Sequence, residues 1–334
     1  MYVLDVLGWI ISIVSMAVLF IFIKIEKGDI MIYKSATELI GNTPMIKLNS
    51  FGTNADIYIK LEKFNIGGSI KDRPALNMIE IAEKNGLLKK NSVIVEPTSG
   101  NMGIALSLIG ALKGYRVIII MPDTMTVERR NAMSAYGAEL VLTDGEKGMK
   151  GAIEKAKELA FNNPNYVILD QFENINNSMS HYKTTGKEIM DDIPDIDAFI
   201  AGVGTSGTLS GIGKYLKEKR QEIFVFAMEP ENSSVLSGNA QMMHKIQGIG
   251  AGFVPDLYDE SIVDEIITVT DEEAMNYTKL LAKNEGLLLG ISSGANIAAA
   301  IKIADKYPKL KKIVTVAPDG GEKYLSLPLF KGEK

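Results

Sequence analysis

Cysteine is absent from the 334-residue chain, which excludes disulfides, thiolate metal sites and cysteine nucleophiles. Histidine is nearly absent. His181 and His244 are the only two, a weak basis for a histidine metal cage or a Ser-His-Asp triad, and no metal site is expected. Positive charge is not in excess either. The formal net charge is −5, and no basic cluster offsets it, which argues against a nucleic-acid surface. Low-complexity tracts, internal repeats and Pro/Gly-rich linkers are missing, so two lobes sharing one continuous cleft are expected rather than separate beads. By elimination, any chemistry rests on lysine, hydroxyls, amides or a bound cofactor.

What is present suits an ordinary folded protein: 46% hydrophobic and 23% charged residues, at a length comfortable for two α/β lobes. The N-terminus stands apart. Val6–Ile23 carries no charge over 18 residues, a run that as helix spans roughly 27 Å and matches a bilayer's hydrocarbon core. Lys24 and Lys27 follow it, whereas Asp5 precedes it. That asymmetry predicts a single-pass anchor over residues 3–24 with the remainder in the cytoplasm. A start at Met31 would instead make the chain cytoplasmic.

Beyond Met31, short apolar runs alternate with amphipathic stretches. Val93–Val95, Val117–Ile120, Val167–Leu169, Phe199–Ala201, Phe224–Phe226 and Ile313–Val316 read as strands buried on both faces. Val127–Tyr136, Lys150–Ala160 and Ser210–Lys219 read as helices between them. The alternation predicts βαβ units, with ligands bound outside the carboxyl ends of the strands.

Four loops carry candidate chemistry. Gly67–Arg73 (GGSIKDR) places Lys71 before a helix expected to begin near Pro74. The positive end of the helix dipole disfavours a charged amine there, as a Schiff-base lysine requires. Glu96–Gly103 (EPTSGNMG) follows a strand and opens a helix; its two hydroxyls and one amide exceed what simple N-capping needs and suit a carboxylate. Gly202–Thr208 (GVGTSGT) matches G-x-G-x-x-G, with Glu229 about where a ribose-binding acid belongs, so dinucleotide binding is an alternative. Its hydroxyls Thr205, Ser206 and Thr208 favour a terminal phosphate dianion instead. Gly290–Gly294 (GISSG) reads on spacing alone as a serine N-cap. A reactive lysine, a phosphate cup and a carboxylate loop together describe a pyridoxal-phosphate enzyme acting on an amino acid.

From about Ser35 to Leu329 the chain resembles the cysteine synthase (O-acetylserine sulfhydrylase) family of fold-type II pyridoxal-phosphate enzymes. The resemblance rests on Ile40–Leu48, Gly67–Arg73, Glu96–Asn101, Gly137–Thr143, Gly202–Thr208, His244–Phe253, Gly290–Ala295 and Gly321–Ser326. It implies a two-lobed α/β fold like that of tryptophan synthase β, each lobe a mainly parallel sheet flanked by helices, to which the N-terminal transmembrane helix would be added. Residues 35–64 and 175–330 would form the larger, phosphate-binding lobe and 65–174 a smaller mobile lobe.

The resemblance also implies site roles. Lys71 would carry pyridoxal 5′-phosphate as a Schiff base and act as general base at the substrate α-carbon. Asn101 would bind the cofactor's 3′ oxygen, and Gly204, Thr205, Ser206, Gly207 and Thr208 its phosphate. Ser292 would face the pyridine nitrogen, where a neutral hydroxyl does not enforce a pyridinium. Thr98, Ser99 and Gln171 would hold the substrate carboxylate, and His244–Gly250, with Gly248, would border the cleft. The implied reaction is β-replacement of O-acetyl-L-serine by sulfide, through an aminoacrylate, to give L-cysteine. Implied partners are these small molecules, a second copy in a homodimer and serine acetyltransferase.

Departures from the family pattern are Met102 in place of a carboxylate-binding threonine, Ser206 in place of a glycine, and Asn239–Met243 in place of a Gly/Pro-rich segment. Methionine donates no hydrogen bond, which puts substrate specificity in question. Two further readings stay open: a cystathionine β-synthase-like exchange of serine with homocysteine, and a membrane-tethered binding protein without turnover.

Overall fold

In the computed structural model of the protein, which describes residues 32–124, 127–327 and 329, the apolar runs assemble into two sheets. The chain enters through β1 (Met45–Lys47), β2 (Asp56–Leu61) and α1 (Asp72–Lys84). There follow β3 (Val93–Pro97), α2 (Asn101–Lys113), β4 (Arg116–Pro122), α3 (Val127–Ala135), β5 (Glu139–Thr143), α4 (Gly148–Asn162) and β6 (Tyr166–Ile168). The second half comprises α5 (Ile175–Lys183), α6 (Thr185–Asp192), β7 (Ala198–Gly202), α7 (Gly207–Lys219), β8 (Phe224–Pro230), β9 (Glu265–Val269), α8 (Asp271–Glu285), α9 (Ile291–Lys306) and β10 (Lys312–Ala317).

The larger sheet has the order β1-β2-β10-β7-β8-β9 and the smaller β5-β4-β3-β6. Among the described residues, every pairing between these strands is parallel apart from the antiparallel β1–β2 pair. The chain thus starts the larger sheet, leaves it to build the smaller one, and returns at β7. Strand β10 closes the larger sheet by pairing Val314 with Tyr58 on one side and Phe199 on the other.

Burial on both faces follows from the two-residue period of a strand. Ile94 faces the cluster with Met102 and Ile119, whereas Val95 faces Ile118 and Ala152. Phe199 packs with Ile212 and Val314, and its neighbour Ile200 with Ile57 and Ile297. All six expected strands form. β6 departs from burial on both faces, because it lies at a sheet edge and Tyr166 and Ile168 are half-buried. The strands not anticipated are β1, β2, β5 and β9. Three of them are edge strands, and the fourth, β2, carries a charged residue near each end, Asp56 and Lys60.

One expectation is corrected. The two-lobed α/β architecture stands, but the N-terminal transmembrane helix does not stand as part of the fold. Among the described residues no helix is long and apolar enough to cross a membrane, and Val6–Ile23 lies outside the described residues. Length and flanking charge in a sequence are compatible with a span without establishing one.

A buried ionic cluster fixes α1 against the larger sheet. Arg73 donates from Nε to Glu62 Oε2 (2.7 Å), from Nη2 to Glu62 Oε1 (2.8 Å) and from Nη1 to Glu188 Oε1 (2.6 Å). Lys60 Nζ lies 3.0 Å from Glu188 Oε2, and Thr43 donates to Glu62 Oε1. The pairing lets Glu62, Arg73 and Lys60 be nearly solvent-free.

Candidate active site

Lys71 is the N-cap residue of α1, three residues before Pro74. The helix therefore starts earlier than expected, with Pro74 inside its first turn, where a missing amide hydrogen costs nothing. The Lys71 amine is lowered to about 8 by burial. Among the described residues no carboxylate pairs with it in a salt bridge. The adjoining loop is tied across the cleft: Ile70 N donates to Pro318 O, and Ser69 bridges to Asp319.

The Glu96–Gly103 loop follows β3. Gly100 is the N-cap of α2, and no side chain caps this helix. Neither Thr98 nor Ser99 serves as a cap, so first-turn amides remain available to an anion. Thr98 Oγ1 accepts from Gly100 N at 3.4 Å, and Ser99 O accepts from Arg129 Nη1 at 3.3 Å. Met102 is 1% exposed and belongs to the core with Met78, Ile79 and Met133. Its side chain fills the smaller lobe and does not line the loop.

Gln171 follows β6 and is buried. Its backbone is held by Glu96, whose carboxylate accepts from the amides of Leu169, Asp170 and Gln171, each at 3.2 Å. Burial pushes Glu96 up to about 7, against the pull of those amides. One carboxylate thereby joins the end of β3 to the Gln171 turn.

The Gly202–Thr208 loop runs from β7 into α7. A Cβ at Gly204 would lie 2.5 Å from the carbonyl oxygen of Gly248, so glycine is required for that close approach. The contact places the His244–Phe253 segment against this loop. Gly248 itself is exposed with φ +92. Ser206 has φ +65, a left-handed conformation in which a family glycine is unstrained and serine is not. Its hydroxyl is buried and shares a hydrogen bond with Ser210 Oγ at 3.0 Å, so it is engaged with the first turn of α7.

Glu229, the acid a dinucleotide would need, is 2% exposed. It accepts from Leu236 N (2.8 Å), Ser237 N (3.0 Å) and Ser237 Oγ (2.6 Å). It is committed to a turn, and the dinucleotide alternative falls with it.

Ser292 lies in the first turn of α9 and is buried. The N-cap there is Gly290, again without a side-chain cap, so the serine N-cap expected from spacing is not formed. Gly290 abuts Asp319, whose Oδ1 would sit 2.0 Å from a Cβ at that position.

Sequence reasoning missed the group that gathers these loops. Asp319 Oδ2 accepts from Asn101 Nδ2 (2.7 Å) and Tyr324 OH (2.8 Å). Lys323 Nζ donates to Asn101 Oδ1 (2.8 Å) and Gly68 O (3.2 Å). Burial raises Asp319, with Lys323 opposing; burial lowers Lys323, with Asp319 opposing. Arg129 adds a bridge, donating to Gln247 Oε1 at 2.7 Å with its guanidinium 5.9 Å from the Tyr324 ring centre. The GEKYLS and HKIQGIGAGF runs were the available signals, since they hold Lys323, Tyr324 and Gln247. Nothing local marked Asp319 or Arg129.

The cleft therefore combines a desolvated amine without a salt-bridge partner, two uncapped helix N-termini, and a loop of glycines and hydroxyls opening a third helix. These features fit a group bearing an aldehyde and a terminal phosphate, beside a site for a carboxylate. They fit pyridoxal phosphate.

Comparison with known proteins agrees. Residues 36–319 match the family model described as pyridoxal-phosphate dependent enzyme. The chain is 52% identical over 298 residues to a cysteine synthase of Staphylococcus aureus, covering 88% of this chain and 96% of that protein. Among solved structures it resembles a cysteine synthase from Entamoeba histolytica (TM-score 0.88, 43% identity, 92% of this chain and 94% of that one). It also resembles a hydrogen sulfide-producing enzyme from Fusobacterium nucleatum (TM-score 0.85, 47% identity, 88% and 99%). With its sequence, fold and cleft in agreement, the chain belongs to the cysteine synthase family of pyridoxal-phosphate-dependent enzymes.

Proposed function

We propose that this protein is a cysteine synthase, forming L-cysteine and acetate from O-acetyl-L-serine and sulfide. The observation that carries the reading is the desolvated Lys71 amine, lowered to about 8, beside the uncapped N-terminus of α2. Pyridoxal phosphate, when bound, supplies the electron sink that lets the substrate α-carbon lose a proton and the β-acetate depart.

The chain's own residues supply the rest. Gly204, Thr205, Gly207 and Thr208, with the backbone of Ser206, hold the phosphate at the start of α7. Asn101 and Ser292 hold the ring oxygen and nitrogen. Thr98, Ser99, Gln171 and the first amides of α2 bind the substrate carboxylate, with Gly248 on the opposite wall. Lys71 Nζ takes the proton from the substrate α-carbon, and the same atom returns it once sulfide has added at the β-carbon. An amine lowered to about 8 is partly neutral near pH 7, which this exchange requires. Residues 65–174 act as the smaller, mobile lobe, and residues 35–64 with 175–330 as the larger. Closure of the smaller lobe over bound amino acid excludes water. The family likeness further supports a homodimer and docking of serine acetyltransferase, both testable by light scattering.

Reconstitution with the cofactor tests the reading. A visible Schiff-base absorbance that shifts on adding O-acetylserine is expected, together with faster turnover of O-acetylserine and sulfide than of serine and homocysteine. No chromophore in the reconstituted protein, or preference for the second pair, overturns it.

A further inference from the structure

Helix α5 places two polar side chains, Asn177 and His181, one turn apart on the face that packs against α7. Both are solvent-free, and neither belongs to the roles assigned above. Asn177 Nδ2 donates to Gln171 O (2.7 Å) and to Thr205 Oγ1 (3.0 Å). The Gln171 carbonyl can only accept, which fixes which end of the Asn177 amide faces Thr205. Thr205 Oγ1 also accepts from Gly207 N at 3.3 Å. With both lone pairs of that oxygen taken by donors, its own proton is left to be given outward.

His181 repeats the arrangement at the other end of the loop. Its Nδ1 lies 2.9 Å from Thr185 Oγ1, and its Nε2 lies 3.3 Å from Thr208 Oγ1. Burial, with Lys71 adding to it, holds the imidazole well below its usual range, so the ring is neutral. A neutral ring has one donor and one acceptor. If Nδ1 carried the proton, Nε2 would take the Thr208 hydroxyl hydrogen and turn oxygen lone pairs toward an anion. If Nε2 carries it, Thr185 donates to Nδ1, Nε2 donates to Thr208, and the Thr208 hydrogen is free for the anion.

We infer that Asn177 and His181 are positioning residues that force the Thr205 and Thr208 hydroxyls to act as donors toward the cofactor's phosphate, with His181 as the Nε2–H tautomer. This rests on the phosphate-cup reading of Gly204–Thr208. The Gln171 carbonyl, held by the same Asn177 amide, connects the cup to the substrate-carboxylate turn.

The test compares the affinity of the cofactor-free protein for pyridoxal phosphate with that for pyridoxal, which lacks the phosphate. His181→Leu is expected to weaken pyridoxal phosphate binding about tenfold to hundredfold, as loss of a charge-assisted hydrogen bond does. Pyridoxal binding should be unchanged, and the effect should vanish in a Thr208→Val background. His181→Gln, whose amide can still donate, should recover most of the affinity. Equal weakening of both ligands, or an undiminished effect in Thr208→Val, overturns the inference alone. Thr205→Val and Thr208→Val leaving the phosphate-dependent affinity unchanged overturns the cup reading itself. If His181→Leu does not fold, the ¹⁵N shifts of His181 in the holoenzyme decide: protonation at Nδ1 overturns the inference.

Discussion

Arg129 Nη2 donates to Gln247 Oε1 at 2.7 Å, joining α3 beside the smaller sheet to the segment that lies against the Gly202–Thr208 loop. Through its other terminal nitrogen the same guanidinium holds the Ser99 carbonyl. One side chain thus couples the Glu96–Gly103 loop to the His244–Phe253 segment.

Replacing Arg129 with alanine should raise KM for O-acetylserine about threefold to tenfold, with a smaller effect on kcat, as loss of a net hydrogen bond of about 1 kcal/mol implies. Gln247→Ala should do the same. Steady-state kinetics of the double variant should show less than the sum of the two effects; strict additivity would mean that the contact does not operate in the working enzyme.

The Lys71 amine is desolvated at a cost to stability. Its amine falls from 10.5 to about 8 on folding, so the unfolded chain holds the proton more tightly between those values. Stability attributable to Lys71 is therefore full above pH 10.5 and is lost as pH falls through about 8. Lys71→Met should stabilise the cofactor-free protein at pH 7 by up to roughly 3 kcal/mol, and flatten its stability profile between pH 8 and 10.5. Denaturant melts across that range would reveal it, and a variant less stable than the parent at pH 7 would contradict it.

Arg73 is the opposite case. Arg73→Met leaves the Glu62 carboxylate buried without its guanidinium, which should cost about 3–5 kcal/mol. Loss of cofactor binding should accompany it, because α1 carries Lys71. A melting temperature close to that of the parent would show that the cluster does not hold α1.

Met102→Thr restores the hydroxyl typical of the family at that position. Since the methionine side chain fills the smaller lobe's core, the change should destabilise the protein by about 2–4 kcal/mol and leave amino-acid affinity no better. A tighter complex with O-acetylserine would show instead that the loop can turn this side chain toward the substrate.

Much of this was legible in the chain. The β-branched runs announced six strands because burial on both faces leaves no polar alternation to confuse them. Strands β5 and β9 escaped notice because edge positions tolerate polar residues, as Glu139 and Glu265 show. The candidate site was legible where chemistry is local: Lys71 before a helix, glycines and hydroxyls before α7, a polar loop before α2. It was not legible where a residue acts from afar. Asp319 and Asn101 are 218 positions apart, and no local pattern pairs them. Glu229 stood at the right spacing for a ribose and proved to be engaged in a turn.

The sequence by itself determined most of the buried elements, the cofactor class and the candidate lysine, because each depends on short-range patterning and on residue types that few other chemistries use. Only the tertiary structure decided how those residues are set. It turned Met102 inward, bound the Ser206 hydroxyl to Ser210, assigned Glu229 to a turn, and lowered Lys71 by burial. The physical reason is common to all four. A side chain's solvation and hydrogen-bond partners are fixed by what packs around it, and those neighbours come from elsewhere in the chain.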